Sequence, residues 1–147
     1  MTIKAIETKY NGYRFRSRLE ARWAVFFDAG EFWWEYEPEG FDIPGFGYYL
    51  PDFLIQIPAL REHHAFCYVE IKPNDGKSYE NYKKMLGELC DNKTVASLFI
   101  GPPDVGKWQT FTFTSEGQID KYSNGMWHIP NGKSVYECCA AALSARF

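Results

Sequence analysis

The sequence predicts an α/β fold: a leading helix, a three-stranded antiparallel meander, a crossover helix and a buried strand, then a β-rich extension and a terminal helix. Three observations carry that expectation. Leu19, Trp23, Phe26 and Phe27 recur at helical spacing just after the capping sequence Ser17-Arg18-Leu19-Glu20. Residues 66–72 and 95–100 are apolar, β-prone runs closed by proline or glycine. Between them, Tyr79, Tyr82, Leu86 and Leu89 form a second helical stripe.

The first helix is expected over 17–29, stopped by Gly30. Phe32 to Tyr36 is aromatic and reads as a strand, and Phe41-Asp42-Ile43 as a short strand within a loop-rich stretch. Residues 48–57 read as a second main strand, with Pro51 suggesting an edge or a bulge. Residues 58–65 connect it to the strand 66–72. A turn at Asn74-Asp75-Gly76 leads into a helix at about 78–90, with Lys83 and Lys84 expected off its apolar face. The strand 95–100 is uninterruptedly apolar, as strands buried on both faces are. Residues 108–113 alternate as a strand, 118–122 and 126–129 are weaker strand candidates, and 135–145 reads as a terminal helix. The 147 residues suit one domain, with a core at about 10–101 and an extension over 102–147.

Composition narrows the function classes. Apolar residues make up 46% and charged residues 24%, the usual balance of a folded globular domain. No apolar run approaches the length of a membrane span, and the N-terminus lacks a signal-peptide core. Cys67, Cys90 and the adjacent Cys138-Cys139 form no Cys-x-x-Cys, so neither a disulfide scaffold nor a zinc ribbon is expected, and the compartment read from them is a reducing cytoplasm. The net charge of −3 argues mildly against nucleic acid. The charges are segregated, however. Residues 1–27 carry Lys4, Lys9, Arg14, Arg16, Arg18 and Arg22 against Glu7 and Glu20, whereas 28–42 carry six acids and no base. A local basic segment can meet phosphate whatever the whole-chain sum; it can equally be a solvated helix face.

The chemistry-bearing residues emerge from hairpin geometry. Facing residues of an antiparallel pair have a constant index sum, so a turn at 58–65 sets Asp52 opposite roughly Ile71, beside Glu70. Glu70 and Lys72, two apart, leave one face of the strand. Asp52, Glu70 and Lys72 thus converge among Leu54, Val69 and Ile71, where packing alone gives no reason for two acids and a lysine. Two close carboxylates repel unless a cation neutralises them. Mg²⁺ takes one or two carboxylates with waters and substrate phosphate oxygens. A neighbouring lysine can orient or deprotonate an attacking water. These are parts for phosphodiester hydrolysis. The competing reading is a structural cross-strand ion pair.

Pro51-Asp52, a gap, and Glu70-Ile71-Lys72 resemble the signature of the PD-(D/E)XK nuclease superfamily. The order of elements resembles it too, and Tyr13 to Trp23, Tyr36-Glu37-Pro38 and Tyr49 to Phe53 resemble small phage and prophage nuclease-like proteins of that group. The resemblance covers about residues 10–100. It implies a restriction-endonuclease-like core and a Mg²⁺-dependent DNA endonuclease, with Mn²⁺ able to substitute. It implies that Asp52 and Glu70 bind the metal, that the Ile71 carbonyl adds a ligand, that Lys72 positions the water and that Glu20 fills the acidic position of the first helix. Glu20 is also the fourth residue of the capping box, and the two roles do not exclude each other. Arg14, Arg16, Arg18 and Arg22, with Lys77, Lys83 and Lys84, are the phosphate contacts expected on this reading. With no appended recognition domain evident, DNA shape or branching is the expected target. A nuclease-fold protein that binds DNA or a host protein without cutting is the rival. The acidic stretch and the unmatched tail leave room for a protein partner, and a homodimer and an RNA substrate stay open.

Other candidates point elsewhere. His63-His64, beside Glu62, read as a solvated loop more than a metal site, and His128 is isolated. Cys138-Cys139 read as small buried hydrophobes. Residues 101–107 lack P-loop spacing. The aromatics are mostly core, with Trp33, Trp34, Tyr48 and Tyr49 as candidates to stack on an exposed base.

Overall fold

The computed structural model describes residues 5–57, 66–91, 93–119 and 129–147. Among them the chain forms a mixed α/β fold of three helices and a mostly antiparallel six-stranded sheet, flanked by two small hairpins. The first hairpin, β1 (Thr8–Tyr10) and β2 (Tyr13–Phe15), turns at Asn11-Gly12. Both turn residues have positive φ, 49° and 82°, as a two-residue type I′ turn requires. α1 (Arg18–Ala29) follows, with Ser17 as N-cap accepting the Glu20 N–H at 3.1 Å.

The main sheet is built from β3 (Trp34–Tyr36), β6 (Phe53–Gln56), β7 (Phe66–Lys72), β8 (Thr94–Ile100), β9 (Gln109–Thr114) and β10 (Gly117–Ile119). Their spatial order is β10-β9-β8-β7-β6-β3. β3, β6 and β7 form an antiparallel meander, and α2 (Glu80–Leu89) crosses over to β8, the one strand in parallel pairing with its neighbour β7 among the described residues. The second hairpin, β4 (Phe41–Ile43) with β5 (Gly47–Tyr49), lies outside that sheet.

Alternation along the strands makes two cores. Phe53, Ile55, Cys67, Val69, Ile71, Val95 and Phe99 meet α1 and α3 (Val135–Ser144) on one face. Ala96, Leu98 and Ile100 meet Leu86 of α2 and the Ile43 and Tyr49 side chains of the small hairpin on the other. β8 is therefore covered on both faces, as its unbroken apolar sequence predicts. Cys138 and Cys139 are buried free thiols, the expected small hydrophobes. No helix of the described residues is long and apolar enough to cross a membrane.

Three sequence expectations change. The strand 48–57 is two strands, β5 and β6, in different sheets. Pro51 has no N–H for a ladder and the chain bends at Asp52, so continuous pairing stops there. The β6–β7 register runs from Phe53↔Val69 to Gln56↔Phe66, one residue from the expected one; continued one step, it sets Asp52 opposite Glu70 rather than Ile71. Lys83 does not leave the apolar side of α2: its Nζ lies 4.1 Å from the centre of the Phe111 ring and its stem is packed. The connection 58–65 with Glu62, His63 and His64, residues 126–128 of the strand expected at 126–129, the end of the one at 118–122, and His128 lie outside the described residues.

Candidate active site

β7 ends in Glu70-Ile71-Lys72, and this end gathers the charged residues. Glu70 is buried on the α2 side of the sheet. Its Oε1 accepts the Tyr49 hydroxyl at 2.6 Å, and its Oε2 lies 3.3 Å from Lys72 Nζ. Both contacts are charge-assisted and enclosed, which strengthens them relative to surface pairs. Lys72 Nζ also sits 4.0 Å from the centre of the Tyr82 ring, a cation–π contact supplied by α2. Asp52 enters from the bend before β6, and its Oδ2 accepts the Ile71 N–H at 2.8 Å.

Glu20 is buried at the first turn of α1, near enough for its charge to act on Asp52. Its Oε1 accepts the Tyr36 hydroxyl at 2.8 Å and its Oε2 the Ser17 hydroxyl at 2.7 Å. Only half of a capping box forms: the Ser17 side chain caps the Glu20 N–H, while the Glu20 carboxylate is held by hydroxyls. The capping sequence and the acidic site thus use the same residue.

The acids repel one another. Burial, then the charges of Glu70 and Glu20, raise the Asp52 carboxyl well above the ordinary carboxylate range, against the opposing Ile71 N–H. Burial also raises Glu70, opposed by Lys72 and by the Tyr49 hydroxyl. Asp52 and Glu70 lie close enough that the charge of Glu70 helps push the Asp52 carboxyl up. Burial works against the Lys72 ammonium, but Glu70, Tyr82 and Asp52 outweigh it, and its proton is held more tightly than usual. In this arrangement the lysine stands as an ammonium on Glu70.

A cation fits this donor set in a specific way. Among the described residues, no three or more His, Cys, Asp or Glu side chains are grouped so as to hold an ion by themselves. Mg²⁺ does not require such a cage, because one or two carboxylates with waters and phosphate oxygens satisfy it. Asp52 and Glu70 are two hard oxygen donors that a divalent charge would relieve of their repulsion. The register adds a main-chain oxygen. The Ile71 N–H faces the β6 side, and the register, continued two steps past its last pair, would set Pro51 opposite Ile71, a residue with no N–H to give the Ile71 carbonyl.

The basic residues divide. Arg18 and Lys84 are exposed, with no internal partner among the described residues. Arg14 pairs with Glu7 at 2.9 Å and Lys77 with Asp75 at 3.7 Å, both on the surface. Arg16 is 67% exposed yet pairs with Glu37 at 3.1 Å. Arg22 turns away to α3: its Nη1 donates to the carbonyls of Ala142 and Leu143 at 2.7 and 3.2 Å, and its guanidinium lies 5.3 Å from the Phe147 ring. These carbonyls end α3, where a cation is favoured. Arg22 and the packed Lys83 thus hold the fold together.

Sequence reasoning missed the aromatic partners of the site. Tyr36, Tyr49 and Tyr82 hold Glu20, Glu70 and Lys72 in turn, and each comes from a different element. Tyr49 is buried against Glu70 and Trp34 donates its Nε1–H to Asp28 at 2.7 Å, so neither is free to stack on a base; Trp33 and Tyr48 are exposed. The one legible signal was position, since Tyr49 and Tyr36-Glu37 flank the Pro51-Asp52 segment. Glu37, with its backbone at φ 47°, donates its N–H to the Asp52 carbonyl at 2.8 Å. No family model, curated protein or solved structure matches the chain.

Proposed function

We propose that the chain is a Mg²⁺-dependent DNA endonuclease with a restriction-endonuclease-like core, acting in a reducing cytoplasm. One observation supports this reading above all: the buried Glu70 carboxyl and the half-buried Asp52 carboxyl, both of raised proton affinity, meet at the β6–β7 edge, with a lysine ammonium on Glu70. A fold has no stability reason to bury that set, because each acid costs desolvation and repels the other. Such a cost is usual where a site exists to bind a cation and a polyanion.

Asp52, Glu70 and the Ile71 carbonyl would hold the cation. When bound, the divalent ion supplies positive charge to the phosphate oxygens and lowers the pKa of an attacking water. Lys72, fixed between Glu70 and the Tyr82 face, directs its ammonium protons at the water or at a phosphate oxygen. Glu20, held by Ser17 and Tyr36, adds negative charge near Asp52. Arg18 stands one residue after the N-cap of α1, where free N–H groups and the helix dipole also favour phosphate. Water attack forms the new P–O bond and breaks the bond to the 3′ oxygen, leaving 5′-phosphate and 3′-hydroxyl ends.

The test is incubation with Mg²⁺ and duplex, single-stranded, flap and four-way-junction DNA, wild type beside Asp52→Asn. Cleavage of at least one substrate, lost in the variant, is the expected result. The second reading is a nuclease-fold factor that binds DNA or a protein without cutting, with the protein partner favoured by the pairing of Arg14, Arg16 and Lys77 with acids, which leaves fewer cations for phosphate. Retained DNA binding in Ca²⁺ without cleavage of any substrate in Mg²⁺ or Mn²⁺ would select it.

A further inference from the structure

Tyr49 stands at the end of β5, outside the main sheet, yet its side chain is buried and its hydroxyl donates to Glu70 Oε1 at 2.6 Å. The hydroxyl has little freedom. The ring packs in the cluster of Ile43, Leu86 and Leu98 and meets the Tyr82 ring edge-on at 6.3 Å between centroids. Tyr82 in turn carries the Lys72 ammonium on its face. Glu70 is therefore gripped at both oxygens, by Tyr49 on Oε1 and by Lys72 on Oε2.

The chain continues from Tyr49 through Leu50 and Pro51 to Asp52, which binds the Ile71 N–H. Four consecutive residues thus hold the end of β7 twice, once at the Glu70 side chain and once at the Ile71 main chain. The β4–β5 hairpin, which adds no strand to the main sheet, is the element that sets where the Tyr49 hydroxyl stands.

We propose that Tyr49 is a positioning residue for the cation site: by occupying Oε1 it holds the Glu70 carboxylate in the orientation that presents Oε2 to Lys72 and to an incoming ion. The inference rests on the metal-dependent reading above and extends it to the small hairpin. Tyr49 touches neither substrate nor ion; it acts through Glu70. Groups that orient metal-binding carboxylates in this way typically govern affinity as strongly as activity.

The test uses Tyr49→Phe, which keeps the ring and removes the hydroxyl, and Phe41→Leu, which loosens the same hairpin against Tyr68 without touching the hydroxyl. Mn²⁺ affinity is measured by calorimetry on the metal-free proteins, folding by thermal melting in EDTA, and cleavage by kcat and KM. Tyr49→Phe should weaken Mn²⁺ binding about 10–100-fold and lower kcat, with KM for DNA unchanged. Phe41→Leu should lower the melting temperature and leave Mn²⁺ affinity as in the wild type. Wild-type Mn²⁺ affinity and kcat in Tyr49→Phe overturn the positioning role while the metal-dependent reading stands. An equal loss of affinity in Phe41→Leu overturns it as well, since hairpin packing and not the hydroxyl would then be responsible. A wild-type protein that binds no Mn²⁺ sinks the metal-dependent reading itself, before any variant is compared.

Discussion

Asp52→Asn should stabilise the metal-free protein. The amide keeps an oxygen for the Ile71 N–H, now 2.8 Å from Oδ2, and gains an N–H₂ able to donate to the neighbouring Glu70 carboxylate. A mutually repelling pair becomes a neutral donor on a charged acceptor. A hydrogen bond to a charged group contributes about 1.5–3 kcal/mol, part of it offset by adjustment of the site, so a net gain of about 1–2 kcal/mol is expected. For a chain of this size that raises the melting temperature by about 2–8 °C. The pH dependence has a definite sign. Both acids hold protons more tightly folded than unfolded. Their contribution is fully present below the unfolded carboxylate range of ~4 and is lost as pH rises through their raised folded values. Wild-type stability in EDTA should therefore fall on going from acid toward pH 8, and the variant should fall less. Mn²⁺ at about 100 times its dissociation constant should add about 2.7 kcal/mol to the wild type and little to the variant. The assay is thermal melting by circular dichroism across pH 5–8, in EDTA and in Mn²⁺. A variant that melts below the wild type at pH 8 in EDTA, or an equal Mn²⁺ effect on both proteins, would refute the reasoning.

Lys72→Ala should lose most turnover yet keep Mn²⁺ binding by calorimetry, because the ammonium is not a ligand; wild-type cleavage would remove it from the mechanism. Replacing Arg16 and Arg18 together with alanine should flatten the slope of log affinity against log salt by about 2, if both meet phosphate on duplex DNA in Ca²⁺. Glu37→Gln frees Arg16 and should tighten binding at low salt, an effect absent if that guanidinium never leaves the protein surface. Asp28 accepts the Trp34 Nε1–H at 2.7 Å and the Tyr10 hydroxyl at 2.6 Å. Asp28→Ala leaves both donors unpaired and should cost about 2–4 kcal/mol in urea unfolding without changing Mn²⁺ affinity.

The elements of the main sheet and the helices were legible because their signals are local. Ser17 with the Leu19-Trp23-Phe26-Phe27 spacing defines α1, and the apolar runs at 66–72 and 95–100 define β7 and β8, since side-chain period alone tells which face is buried. The acidic pair was legible for the same reason: a short hairpin brings Asp52 and Glu70 together whichever of two registers it adopts. The Asn11-Gly12 turn of the first hairpin is an equally local signal. Only tertiary structure decided the rest. The register depended on the connection 58–65, whose length admits pairings one residue apart, and Pro51 split one expected strand between two sheets. Whether a cation serves the surface or the fold depended on which element lies beside it: Arg22 met the end of α3 and Lys83 met Phe111, whereas Arg18 has no internal partner among the described residues. The tyrosines were invisible for that reason as well. A buried aromatic reads as core in any sequence, and a phenol becomes part of a charged site only when packing from a distant element aims its hydroxyl at Glu70 or sets its face under Lys72.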